Sequence, residues 1–227
     1  MSPRAFLPRC APLLGALLLG VLAQSGCAHG EFVGRRLSGP VYQPDNHLGD
    51  ARLPAALRRV ALLPLHGGTI VPAESLVTLD QAFLQELLRV QRFEAVLVSR
   101  ATMARLFGEK QFSSVEALPH EFLAVIARDL AVDGVLFVDV TNYSPYPPLR
   151  LGVRAKLAAT ATGELVWSFD TIFSAADPAV ANAAKLYAMG GRKAPRPPVE
   201  LSSSVLQSPT QFGAYAAAAA FATLPPR

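Results

Sequence analysis

The feature that most restricts the fold is strict alternation in the second half of the chain. From Leu149 to Leu157, apolar residues occupy every second position, and arginine, glycine and lysine lie between them. A period of two with one polar side predicts a β-strand that is exposed on one face. The turn T-A-T-G-E follows, with Gly163 near its tip, and the alternating stretch L-V-W-S-F-D-T-I-F-S returns from it. Together they predict a β-hairpin.

Apolar runs in the first half predict further strands. The first reads R-R-V-A-L-L-P-L from Arg58, is rich in branched residues and is ended by Pro64 and the pair Gly67-Gly68, which is typical of a buried strand. Two later runs, F-E-A-V-L-V-S and D-G-V-L-F-V-D-V-T-N-Y, predict a second and a third strand.

Apolar residues that recur at steps of three and four predict amphipathic helices between and after these strands. The predicted helices cover about 76–91, a short segment with Ser99 as its N-cap, 122–130, 178–189 and 209–223. Parallel pairing in the first half and antiparallel hairpins in the second predict one α/β (α+β) domain. Its mixed parallel and antiparallel sheet is packed with helices.

The first 26 residues have the three parts of a secretion signal. Arg4 and Arg9 make the start positive, an apolar run of 14 residues extends from Cys10 to Ala23, and small residues precede Cys27. The apolar run is shorter than the roughly 20 residues that a membrane-spanning helix needs. We therefore expect residues 1–26 to be removed.

The segment Ser25-Gly26-Cys27 resembles a lipobox, although Gln24 stands where that pattern has an aliphatic residue. The resemblance implies a lipid on Cys27 and attachment to a membrane. Ala28 follows the cysteine, which under enterobacterial sorting rules implies the outer membrane. The alternative is ordinary cleavage near Ala23 or Ala28 and an unanchored product.

The remaining chain is predicted to have two parts. Residues 27–56 are rich in glycine, proline and polar residues without periodicity, which predicts a flexible tether, and the alternative is an arm packed on the domain. Residues 57–227 form the predicted α/β domain and end in a C-terminal helix.

Composition excludes several classes of function. Without Arg4 and Arg9, two of the 21 basic residues, 19 basic residues stand against 17 acidic ones, so we expect no binding to nucleic acid. Only Cys27 of the two cysteines would remain after cleavage, which leaves no pair for a disulfide. The four histidines lack metal-ligand spacing, so neither a metal nor another cofactor is predicted.

Candidate catalytic residues are few. His66 follows the first strand and is interpreted as a loop residue, and the alternative is a residue that reaches a cleft at the strand's C-terminal edge. Asp139 and Asp170 fall within predicted strands and would be neighbours across the sheet if they formed a carboxylate pair. Phosphate-loop and G-x-S-x-G motifs are absent from the sequence, and the prediction is that the protein is not an enzyme.

The polar side of the alternating strand carries basic residues and lies close to two tyrosines. Because aromatic residues beside arginines are common in interfaces, this pattern predicts a contact patch for a partner. The alternative is a solvated strand face. The candidate partner-binding residues are Tyr143, Tyr146, Arg150, Arg154 and Lys156.

A family resemblance rests on four motifs within about residues 58–175: V-A-L-L-P-L, R-F-E-A-V, A-V-D-G-V-L-F-V-D-V-T-N-Y and T-G-E-L-V-W. The chain resembles the envelope lipoproteins that have the fold of the curli-secretion lipoprotein (CsgG-like), which lipoprotein activators of penicillin-binding proteins share. The resemblance implies this fold and leaves the function open.

These observations predict a non-catalytic lipoprotein on the periplasmic face of the outer membrane. It would bind an envelope protein as a scaffold or regulator of an assembly. One alternative is a subunit of a homo-oligomeric, curli-type secretion or assembly complex. A second alternative is an envelope hydrolase that uses Asp139 and Asp170.

Overall fold

The computed structural model describes residues 39–190 and 204–227, so the predicted signal, Cys27 and residues 191–203 lie outside the described residues. Six strands form one sheet: β1 (His47–Gly49), β2 (Arg59–Leu62), β3 (Glu94–Leu97), β4 (Gly134–Ser144), β5 (Arg150–Ala159) and β6 (Leu165–Ser174). The helices are α1 (Ala73–Val90), α2 (Arg100–Phe107), α3 (Phe122–Leu130), α4 (Pro178–Gly190) and α5 (Pro209–Phe221), and a 3₁₀ turn covers Ser204–Leu206.

The sheet is mixed, as the sequence predicts. Its strand order is β1-β6-β5-β4-β2-β3. The strand β2 pairs in parallel with β3 and β4, whereas β4, β5, β6 and β1 pair antiparallel in succession. The N-cap prediction is also confirmed, because the Ser99 hydroxyl accepts a hydrogen bond of 3.0 Å from the Thr102 N–H.

The described part of the predicted tether packs on the domain. The Tyr42 N–H donates to the Ala179 carbonyl at 3.1 Å, and β1 adds an edge strand to β6. Farther along, Leu53 and Leu57 are buried. The described residues of this segment thus contact the domain through a strand partner and buried apolar side chains.

The two faces of the sheet carry different helices. The first face packs against α1, α4 and α5, and its core contains most of the large aromatic side chains. These include Trp167, Phe83, Phe169, Phe173, Phe212 and Phe221. The second face packs against α2 and α3 through a smaller cluster around Met103, Phe122 and Ile126. In the described ranges, no helix has both the length and the hydropathy required to cross a bilayer.

A glycine lies at the contact between α1 and α5. A Cβ atom on Gly213 would lie 2.4 Å from Leu79 Cδ2, which is far inside van der Waals contact. Close approach of the two helices brings Phe83 of α1 against Phe221 of α5, with ring centroids 5.8 Å apart in an edge-to-face arrangement. A side chain at position 213 would therefore have to displace the Leu79 methyl group or widen the spacing between the two helices.

We expect Gly213→Val to lower the free energy of unfolding by roughly 1–3 kcal/mol, because the added side chain overpacks this contact. Urea denaturation followed by circular dichroism measures the change. Ala214→Val is the matched control, since Ala214 is the next residue of α5 and is only half-buried. Equal effects of the two substitutions would contradict the close-packing role of Gly213.

Candidate interaction surface

Half of the second face of the sheet has no helix over it. The helices α2 and α3 cover the side of β2 and β4, so the outward side chains of β5, β6 and β1 remain accessible. We call these residues the open sheet face: Leu48, Arg150, Arg154, Lys156, Ser168, Asp170 and Ile172. Leu48 on the edge strand β1 is 77% exposed, and Ile172 on β6, beyond the residues that β1 covers, is 58% exposed.

A row of alternating charges crosses this face. Arg154 on β5 is paired in register with Asp139 on β4 and with Asp170 on β6. The Arg154 Nε donates to Asp170 Oδ2 at 2.8 Å. Because Arg154 and Asp170 are both partly exposed, solvent screens this ion pair, and we expect it to contribute less than about 1 kcal/mol. The row therefore holds the Arg154 and Asp170 side chains in place and contributes little to the stability of the fold.

Asp139 differs from Asp170 because it is buried. Its carboxylate accepts hydrogen bonds from the Ser114 N–H at 3.1 Å and from the Ser114 hydroxyl. The His66 Nδ1 lies 3.4 Å from Asp139 Oδ1. Backbone hydrogen bonds hold His66 beside β4: its N–H donates to the Val138 carbonyl, and its carbonyl accepts from the Val140 N–H. Asp139 thus joins the strand to the loop that contains Ser114.

This arrangement differs from a Ser-His-Asp triad. In a Ser-His-Asp triad the histidine lies between the serine and the aspartate, whereas here Asp139 lies between Ser114 and His66. Asp139 and Asp170 are on the same row but are separated by β5, so their strands are about 10 Å apart. Arg154 lies between them, so the carboxylate pair that the hydrolase alternative requires does not form.

The loop 108–121 borders the open sheet face and is held at Gln111 and Ser114 by hydrogen bonds to basic side chains. The Lys156 Nζ donates to the Ser114 carbonyl at 2.9 Å. On the other side, Arg100 donates to Gln111 Oε1 at 2.8 Å and to Asp80 Oδ2 at 2.9 Å. Burial raises the pKa of the Asp80 carboxyl, and the Leu65 N–H and Arg100 lower it by a smaller amount. The loop therefore forms a fixed wall beside the face.

The five predicted partner-binding residues do not form one patch. Arg150, Arg154 and Lys156 share the open sheet face, and the last two line a shallow cavity of about 200 Å³ with Leu48 and Asp170. Tyr143 is half-buried against the core of the first face, whereas Tyr146 is 79% exposed in the turn after β4.

Sequence reasoning missed the apolar members of this face. Ile172 occupies an outward position of the alternating strand β6, where Ser168 and Asp170 are the other outward residues. An apolar residue on the polar side of an alternating strand is a readable signal. Leu48 gives no such signal, because β1 is only three residues long.

Among the described residues, no group of three or more histidine, cysteine, aspartate or glutamate side chains is placed to hold a metal ion. No protein-family model matches the chain, and no curated protein matches it in sequence.

Solved structures give weak matches. The PelC dodecamer from Paraburkholderia phytofirmans matches at 15% identity and a TM-score of 0.41, over 73% of this chain and 94% of the PelC chain. The lipoprotein GNA1162 from Neisseria meningitidis matches at 15% identity and 0.37, over 51% and 79% of the two chains. The LpoB C-terminal domain from Salmonella enterica matches at 17% identity and 0.34, over 51% and 82%. At these scores the likeness does not assign a function to this chain.

We expect Asp139→Asn to lower the free energy of unfolding by roughly 1–3 kcal/mol, because an amide NH₂ would replace an oxygen that accepts hydrogen bonds from Ser114. Hydrogen exchange should show faster exchange at the Ser114 amide. Asp170→Asn is the control and should change stability by less than about 1 kcal/mol. If both substitutions had the same small effect, Asp139 would not hold the loop.

Proposed function

We propose that the chain is a lipoprotein of the bacterial envelope, attached through Cys27 to the periplasmic face of the outer membrane. The positive start, the short apolar run and the small residues before Cys27 support the anchor. Each buried CH₂ of an acyl chain contributes about 0.8 kcal/mol, so two or more chains hold a protein stably at the membrane.

The proposed activity is binding, without catalysis, as a scaffold or regulator of an envelope assembly. The observation that carries it is the open sheet face, where Leu48 and Ile172 are exposed beside Arg150, Arg154 and Lys156. Apolar residues surrounded by charged ones on a fixed surface are typical of a protein-binding site. Because three cations accompany one exposed carboxylate, a partner with apolar and acidic side chains fits this face best.

Attachment to the membrane would allow the open sheet face to bind its partner even when few copies of the protein are present. A protein held at the membrane meets other envelope proteins in a thin layer, which raises their effective concentration without any new contact. The open sheet face is already preorganised, because its strands are hydrogen-bonded within the sheet and the Lys156 side chain is bonded to loop 108–121. Binding would therefore order few additional groups.

Cys27→Ser should abolish incorporation of a fatty-acid label and release the protein from the membrane fraction, since the thiol is the proposed site of acylation. Metabolic labelling with an alkynyl palmitate, followed by fractionation, measures both effects. Cys10→Ser is the matched control, because Cys10 lies within the predicted signal and its variant should remain labelled and bound. Retention of the Cys27→Ser variant in membranes, with no label on the natural chain, would contradict the anchor.

Leu48→Asp together with Ile172→Asp should eliminate the crosslinks between this chain and its partner in intact cells, because the charges disrupt the apolar part of the open sheet face. Crosslinking with mass spectrometry identifies the partner and measures the loss. Val77→Asp together with Leu88→Asp is the control, since these residues of α1 are 55% and 50% exposed on another surface.

Size measurement by light scattering separates this role from the oligomeric alternative. A monomer with crosslinks to another protein supports a binding component. A stable ring of eight or more copies, with the open sheet face between copies, would contradict it.

A further inference from the structure

A groove lies beyond the end of the sheet at the β5–β6 turn, away from the open sheet face. Its volume is about 770 Å³, within the range of roughly 300–1,000 Å³ that is usual for ligand sites. The buried side chains of Leu57 and Val166 line it, together with Leu165, which is 56% exposed. We call this feature, with Asp50, Asp133 and Glu164 at its border, the acidic groove.

The charge of the acidic groove has one sign. Asp50, Asp133 and Glu164 line it, and its lining contains no lysine or arginine. All three acidic residues are exposed, and within residues 39–190 and 204–227 none of them forms an ion pair. Three carboxylates around an apolar surface create a negative potential that a cationic group would neutralise.

Backbone hydrogen bonds fix the groove. Asp133 Oδ2 accepts hydrogen bonds from the backbone N–H groups of Arg58 and Arg59 at 3.0 and 2.9 Å. These bonds connect the residue before β4 to the start of β2. The Asp50 N–H donates to the Val166 carbonyl at 3.2 Å, and the Ala159 N–H donates to the Glu164 carbonyl at 3.0 Å. The borders therefore belong to one hydrogen-bonded frame, and a ligand would meet a shaped surface.

We propose that the acidic groove binds a basic segment of a partner protein in which lysine or arginine alternates with apolar residues. The cationic side chains would lie against Asp50 and Glu164, and an apolar side chain would contact Leu57 and Leu165. Charge complementarity favours this occupant, because the carboxylates would repel an acidic segment. A purely polar segment would leave the apolar lining exposed to solvent. This site is separate from the open sheet face, whose exposed charge is mainly positive.

Fluorescence anisotropy with a labelled pentapeptide of alternating lysine and leucine tests the proposal. The full chain is held in nanodiscs of zwitterionic lipid, and binding to empty nanodiscs is subtracted. Asp50→Asn together with Glu164→Gln should raise Kd at least about fivefold, because two ion pairs are lost, and higher salt should weaken binding to the natural chain. Leu165→Ser should also raise Kd.

The control variant, Glu109→Gln with Glu116→Gln, removes the same charge from exposed positions of loop 108–121 and should keep the natural Kd. Circular dichroism checks that both double variants are folded. Equal Kd values for the two double variants would overturn the proposal. So would equal affinity for a pentapeptide of alternating glutamate and leucine, or no measurable binding of the lysine–leucine peptide up to millimolar concentration.

Discussion

The pairing of β5 with both β4 and β6 is the constraint on which the rest of the structure depends. Because side chains alternate along a strand, this register decides which residues enter the core. It places Val153 and Leu157 under α1 and α5, and Arg154 and Lys156 on the opposite face. A shift of one residue would bury both cations and expose the apolar row, so the core and the open sheet face are determined by one set of hydrogen bonds.

Helices cover the first face of the sheet more completely than the second, so the two faces differ in what they contribute to stability and to the proposed binding. The first face buries large aromatic residues such as Trp167 and Phe173, so substitutions there cost stability. On the second face, only Asp139 is buried among the charged residues of the row, and its neighbours Arg154 and Asp170 remain partly exposed. Side chains of the open sheet face can therefore vary at little cost to folding, which is the condition for a surface selected for binding.

Strand and helix order follows from the sequence because the long strands show either alternation or a continuous apolar run, and helices such as α1 and α3 show helical apolar periodicity. Two parts do not follow. The strand β1 has three residues without alternation, and β6 determines its position. Tyr143 falls on the first face because a bulge between Val140 and Asn142 shifts the alternation of β4. Gly152 lies opposite this bulge, where a Cβ atom would be 2.4 Å from the Thr141 hydroxyl oxygen, so the irregularity depends on contacts between strands.

The two proposed binding surfaces use different parts of the same hairpin. The open sheet face consists of ladder residues, whose positions the hydrogen bonds of β5 and β6 fix. The acidic groove adds residues of the turn 160–164, which lies outside the ladder. Because these surfaces differ in position and in charge, the domain can contact two unlike partners without competition between them. If Cys27 carries the proposed lipid, a domain with two such surfaces would hold two partner proteins near each other at the membrane, because each contact raises the effective concentration of the other partner.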